Sequence, residues 1–357
     1  MSAKKRIISV ILSFAMVIGM CATTFAAGSI PNIAGVTQED YMEKARDTIK
    51  DYIRVSNIDT SDLSISQPIP IHGGSDENDC AIFLFRGTEC IAYMVFTYFD
   101  NEYASSFFEG NYLEITDVLN KNQSIALSSN EECMVLFTDD GWTLFDVDED
   151  FAQDIVLSRS SVSYERQPLS LTPIVFSDED VAYNTRSTTG KVLNVQIVSN
   201  RKNPDTGKHM CWAASLVSLI RYRTTEKYLT ITELYNKLIK QYPVHEYEYP
   251  IGTCFWEIQS VGMYGLSCAH KSSGANFSQI KSIIQSNKPV YAALLRSGGG
   301  HSVVIAGFDS GYGKYYYKLM DPNKSSFALV ELPSSTATSF TYTQGNYTYN
   351  VWKCHMY

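Results

Sequence analysis

A cysteine acts as a nucleophile only as its thiolate, and Cys211 stands where a thiolate is favoured. A loop from Ser199 to Met210 precedes it, and Ala213, Leu216, Val217 and Ile220 behind it form the buried stripe of a helix. Unpaired N–H groups at a helix start favour negative charge there. Position alone also fits a buried thiol or half of a disulfide. A second group changes the balance: Gly298-Gly299-Gly300-His301-Ser302-Val303-Val304, in which glycines let a substrate backbone approach and the following apolar strand fixes an imidazole at a sheet edge. Twenty residues on, Met320-Asp321-Pro322-Asn323 ends the next strand with a polar side chain. On an adjacent antiparallel strand that group can accept the second ring N–H of His301 and set the tautomer for proton transfer. His72, His209, His245, His270 and His355 lack the glycine lead and the downstream partner, and read as structural or surface residues.

Met210-Cys211-Trp212-Ala213-Ala214-Ser215, followed by Gly300-His301-Ser302-Val303-Val304-Ile305-Ala306-Gly307-Phe308 and Asp321-Pro322-Asn323, resembles the papain-like cysteine peptidases. It is most similar to their short bacterial branches, the staphopains and the double-glycine leader peptidases, over about residues 190 to 357. The resemblance implies that Cys211 is the nucleophile, His301 the general base and then acid, and Asp321 its orienting group. It also implies a side-chain donor to the oxyanion, a Gln shortly before the cysteine. No Gln lies between Ser199 and Cys211; Asn200 takes the nearest comparable place, ahead of Gln196 further upstream. The backbone N–H of Cys211 can supply another donor. Losing one such donor typically costs about 10²- to 10³-fold in rate.

These groups need elements to hold them. After Lys191 a strand-like run spans Leu193 to Val198, and the helix at Cys211 follows. Thr230 with Glu233 caps a second helix to about Lys240, and Asn276 with Gln279 a third to about Ser286. Strands are expected at Val290–Leu295, His301–Phe308 and Tyr315–Met320, with two more around Gln344-Gly345-Asn346. Helices first and strands afterwards make an α+β domain, and the resemblance implies N-terminal helices packed on a C-terminal antiparallel sheet or half-barrel.

The preceding half reads differently. Tyr41, Ala45, Ile49 and Ile53 recur at helical spacing from Gln38 to about Val55. Strand-like runs follow at Ala81–Phe85, Ile91–Phe99, Ser124–Leu127, Met134–Phe137 and Trp142–Val147, giving a helix on an antiparallel sheet. In all, 357 residues fit roughly two domains of ~150 residues. The overall charge of −9 divides sharply: residues 28–186 carry a net −20 and residues 187–357 a net +8. Opposite fields of this kind steer association. The resemblance implies an inhibitory prodomain at 28–186 attached to a peptidase domain at 187–357, so the chain's own acidic half is an expected partner besides its peptide substrate. The polar, aperiodic segment from Asp178 to Gly190 is the best linker, with an activating cut expected between about Asp180 and Gly190, near Arg186.

Lys4, Lys5 and Arg6, an apolar run from Ile7 to Met20, and Ala22, Ala26 and Ala27 have the order of an export signal over residues 1–27, so the mature chain is expected to be secreted. Met20 before Cys21 is too large for a lipoprotein site, and no later stretch reaches 18 apolar residues, so no membrane anchor is expected. Seven cysteines remain after the signal, Cys80, Cys90, Cys133, Cys211, Cys254, Cys268 and Cys354, an odd number that leaves at least one free thiol. The 17 bases of the second half are scattered rather than striped, which excludes a nucleic-acid partner. No Cys-x-x-Cys or His-x-x-x-His spacing calls for zinc, and the chemistry needs no cofactor. Two other classes share some of these features: a CHAP-type cell-wall amidohydrolase, and a non-enzymatic secreted binding protein on a degenerate peptidase fold.

Overall fold

The computed structural model describes residues 37–56, 59–73, 79–99, 102–129, 133–147, 164–177, 189–203, 207–241, 255–271, 273–296, 299–344, 348–349 and 351–357. The export signal, most of the linker with Arg186, Gly298, Cys254 and the side chain of Cys354 lie outside the described residues.

The N-terminal half opens with α1 (Gln38–Ser56), whose Tyr41, Ala45, Ile49, Tyr52 and Ile53 are fully buried. Each large apolar side chain so removed from water contributes about 1.5 to 3 kcal/mol. The strands β1 (Leu63–Ser66), β2 (Ile69–His72), β3 (Cys80–Arg86), β4 (Glu89–Phe99) and β5 (Glu102–Glu109) follow, and the helix packs on β1, β3, β4 and β5 through a core that includes Ile65, Ile82, Leu84, Met94 and Phe107. After α2 (Leu113–Asn120) come β6 (Ser124–Ser129), β7 (Met134–Thr138), β8 (Gly141–Phe145), β9 (Gln167–Pro168) and β10 (Leu171–Pro173). The ladder β5–β4–β3–β1–β10 is antiparallel throughout, while β2 joins β6 in parallel.

Among the described residues, the C-terminal half begins with β11 (Thr189–Val192) and then places the helices α3 (Cys211–Arg223), α4 (Ile231–Gln241), α5 (Phe255–Gly262) and α6 (Phe277–Gln285), with the short β12 (His270–Lys271) before the last. The capping boxes form as expected. Asn276 accepts from the Gln279 N–H while Gln279 returns a bond to the Asn276 N–H, and Thr230 with Glu233 does the same for α4. The strands β13 (Val290–Arg296), β14 (Gly299–Gly311), β15 (Lys314–Met320), β16 (Phe327–Glu331), β17 (Tyr342–Thr343), β18 (Thr348–Tyr349) and β19 (Val351–Met356) complete the chain. Their main sheet runs β12–β19–β13–β14–β15–β16, all antiparallel. Among the described residues no helix is long and apolar enough to cross a membrane.

Two local expectations fail for physical reasons. Residues Leu193 to Val198 form no strand, although Leu193 and Val195 are buried and Asn194 and Gln196 exposed. The chain leaves the sheet there after one bond from the Leu193 N–H to the Ala306 carbonyl, so side-chain alternation persists without a ladder. The strand lies earlier, where β11 runs along β14 with Val192 opposite Gly307. A Cβ at Gly307 would stand 2.7 Å from the Lys191 carbonyl oxygen, so only glycine admits this approach. Gly299 and Gly300, ahead of the strand start expected at His301, belong to β14.

The two halves share one sheet. β16 pairs with β5, setting Phe327 opposite Glu109, Ala328 opposite Phe108 and Val330 opposite Ser106. A single apolar core runs from Phe83, Tyr93 and Phe108 of the first half to Val304, Tyr317 and Ala328 of the second.

Candidate active site

Cys211 is the first residue of α3. Its N-cap, Met210, has no side chain able to accept a bond, and the loop compensates: the Met210 N–H donates to the Arg201 carbonyl at 2.9 Å and to Asn200 Oδ1 at 3.0 Å. Eight successive residues, Ala213 to Ile220, are buried. The helix is thus a core element, packed on β14, α4 and α5, and its start cannot drift. Ser215 Oγ donates to the Ser302 carbonyl at 2.8 Å, tying the helix of Cys211 to the residue after His301.

His301 lies on β14 opposite Leu294 of β13, and is 4% exposed. Asp321 follows the last residue of β15, which pairs Met320 with Val304 across the same sheet, and it is fully buried. His301 Nε2 donates to Asp321 Oδ1 at 2.8 Å, and the Cys211 sulfur is near enough to the imidazole to raise its pKa. With Nε2 committed to the carboxylate, Nδ1 is the ring atom left for sulfur. Cys211 itself is a partly exposed free thiol.

Electrostatics match this geometry. Burial alone would push the His301 imidazole towards neutrality, but the Asp321 carboxylate and the Cys211 sulfur outweigh it and hold its pKa well above the ordinary histidine value. Burial alone would likewise raise the Asp321 pKa. His301, Tyr342 Oη and the Asn323 N–H, all donating to the carboxylate, bring it below the usual range. The site thus sets the imidazole between a carboxylate and a sulfur, which is the arrangement a thiol nucleophile needs.

Tyr342 and Tyr349 are functional neighbours with no signal in the sequence. Tyr342 is buried on β17 and its hydroxyl donates to Asp321 Oδ2, while the ring of Tyr349 on β18 lies 5.5 Å from the His301 ring. Neither sits in a motif, and only the fold brings residues 20 to 50 positions away onto the pair.

Asn200 is buried beside the nucleophile loop. Its Oδ1 accepts from Met210, its Nδ2 donates to Asn323 Oδ1 at 2.8 Å, and its N–H donates to the Pro322 carbonyl at 2.7 Å. It therefore fastens the loop before Cys211 to the turn after Asp321. Gln196 is exposed and accepts from Arg221 Nη1 at 3.1 Å, on a surface away from that fastening. Among the other histidines, His355 is a buried structural residue bonded to the Ser273 carbonyl, His72 stacks on Tyr164, and His209 forms a bridge with Lys202. Cys80, Cys90, Cys133 and Cys268 are free thiols as well, and burial raises the pKa of Cys80, Cys90 and Cys268, which suits packing rather than attack.

Comparison with known proteins agrees with the geometry. Residues 188–337 match the family described as papain-like cysteine protease AvrRpt2. The match is to the papain-like class and does not reach the staphopain or double-glycine leader branches. No curated protein matches the chain. The matched segment contains Cys211, His301 and Asp321 and is similar to papain-like cysteine proteases, which gives the chain the activity class of a cysteine-type peptidase.

Proposed function

We propose that the chain is a secreted cysteine endopeptidase made as a zymogen. The observation that carries the chemistry is His301, bonded to Asp321 and electrostatically coupled to the Cys211 sulfur. In this reading the Cys211 sulfur attacks a peptide carbonyl, and the oxyanion is met by the Cys211 N–H, free of any intrahelical acceptor at the start of α3. The second N–H of Asn200 Nδ2 is the side-chain candidate for the other donor. The tetrahedral adduct collapses as His301 gives its proton to the leaving amine, which leaves a thioester. His301 then takes a proton from water, the resulting hydroxide attacks the thioester, and the carboxylic acid departs as the thiolate and imidazolium are restored.

The zymogen reading is supported by the opposed charges of the halves and by two ion pairs between them. Lys314 Nζ lies 3.2 Å from Asp51, and Lys324 Nζ lies 3.8 Å from Asp146. In this reading the acidic half restrains the enzyme until the connecting segment is cut between about Asp180 and Gly190. The N-terminal sequence of the matured peptidase chain should begin inside that window; a start well outside it overturns the proposed maturation.

Replacing Cys211 with Ala tests the activity. Loss of casein hydrolysis supports the endopeptidase, loss of cell-wall lysis alone points to the amidohydrolase, and no loss of any activity points to a binding protein.

A further inference from the structure

The turn that carries Asp321 is gripped from the opposite half of the chain. Asp146, just after β8, is 5% exposed and collects four partners. Its Oδ2 accepts from Tyr93 Oη at 2.6 Å, its Oδ1 accepts from Ser325 Oγ at 2.6 Å and from Ser326 Oγ at 3.2 Å, and Lys324 Nζ stands 3.8 Å away. Lys324 is 2% exposed, donates to Tyr93 Oη at 3.2 Å and lies over the rings of Tyr93 and Phe108. Ser326 Oγ also meets Tyr112 Oη at 2.9 Å. The side chains of residues 324 to 326 of the peptidase half are thus met by side chains of the acidic half: Asp146, Tyr93, Tyr112 and Phe108.

The same turn holds the site. The Lys324 N–H donates to the Asp321 carbonyl at 3.1 Å, the Asn323 N–H to Asp321 Oδ1 at 2.8 Å, and Asn323 Oδ1 receives Asn200, which holds Met210 next to Cys211. Six residues, 321 to 326, therefore join Asp146 at one end to His301 and Cys211 at the other. Separation of the halves would remove the partners of Lys324 and leave an unpaired sheet edge at β16.

We propose that Asp146 is a positioning residue for the Asp321–His301 pair, and that the acidic half stays seated after the linker is cut, as the second chain of the active enzyme. The proposal rests on reading Cys211, His301 and Asp321 as the catalytic groups. It changes the meaning of maturation: the cut relieves a restraint, and the body of the N-terminal half remains as scaffold.

The test uses the full chain, intact and cut within residues 178–190. On gel filtration the two fragments of the cut protein co-elute. The proposal is overturned if the fragment beginning near 190 elutes alone with full kcat. In Asp146→Asn, kcat on a peptide substrate falls at least about tenfold, as a displaced catalytic group implies, while KM stays within about twofold. Ser325→Ala removes one bond without stranding a charge and so keeps the fold; it lowers kcat about threefold with KM unchanged. Wild-type kcat in both variants overturns the proposal. A third readout is independent of turnover: the His301 imidazole followed by NMR in a Cys211→Ala background. Adding Asp146→Asn lowers its apparent pKa by at least about half a unit, since a displaced carboxylate stabilises the imidazolium less, and an unchanged titration overturns the proposal. Absence of Cys211-dependent hydrolysis in the wild-type protein would instead refute the enzyme reading, and the NMR titration would still decide the role of Asp146.

Discussion

Replacing Tyr342 with Phe removes a single hydroxyl from the most buried part of the site and leaves the ring. Packing against Phe108 and Tyr349, at 6.4 and 6.3 Å between centroids, should survive, so the change isolates the bond to Asp321 Oδ2. A hydrogen bond to a charged group is worth about 1.5 to 3 kcal/mol. Its loss therefore raises the native Asp321 pKa. The sign follows from linkage. Asp321 is held below its ordinary value in the folded protein, so its contribution to stability is complete above the unfolded carboxylate pKa of about 3.9 and fades as pH falls through the native value. Tyr342→Phe should therefore cost about 1.5 to 3 kcal/mol in urea unfolding at pH 7. The cost should shrink in acid, as pH falls through the native pKa of the variant, whose carboxyl protonates first. Unfolding titrations of both proteins at several pH values give the comparison. An equal loss at pH 7 and in acid, or none at pH 7, would refute the assignment of Tyr342 as a support of the Asp321 charge.

Other perturbations follow from the same geometry. Asp321→Asn keeps an acceptor for the His301 N–H but removes the charge that outweighs imidazole burial, so the alkaline limb of kcat/KM should move to lower pH; an unmoved limb contradicts the assignment. His301 is raised in the fold, so its stabilising contribution is full below about pH 6.5 and is lost as pH rises through the native value. Asn200→Ala strands Asn323 Oδ1 in a buried place and leaves the Met210 N–H only its bond to the Arg201 carbonyl, which should cost about 1 to 3 kcal/mol in urea unfolding as well as lowering kcat. Asn276→Ala opens one capping box far from the site and should cost about 1 kcal/mol with kcat unchanged, a control for stability loss alone.

The parts of this architecture legible in the sequence are those written locally. Helix α1 shows its buried stripe at Tyr41, Ala45, Ile49 and Ile53, both capping boxes spell themselves out, and the three chemical residues lie in short motifs on one helix start and two adjacent strands. What escaped depends on contacts far apart in the chain. Strand β5 carries Ser105 and Ser106 in its middle and reads as polar, yet it is the seam with β16. Helix α2 lacks a capping side chain, and only tertiary packing of Ile115 and Val118 holds it. Lys324 and Asp146 read as surface charges, since nothing near either residue tells that the other half of the chain buries it. The Leu193–Val198 alternation misled because burial on one side, without a neighbouring ladder, produces the same period as a strand.

The central claim is that the Cys211 sulfur draws its reactivity from His301. Its most direct test is labelling of the full chain near neutral pH with a thiol-reactive, peptide-mimicking inhibitor, followed by mapping of the adduct in the wild type and in His301→Ala. The account predicts one adduct, on Cys211, forming at least about tenfold more slowly without the imidazole. A label spread over Cys268 and the other free thiols, or a Cys211 rate indifferent to loss of His301, would contradict it.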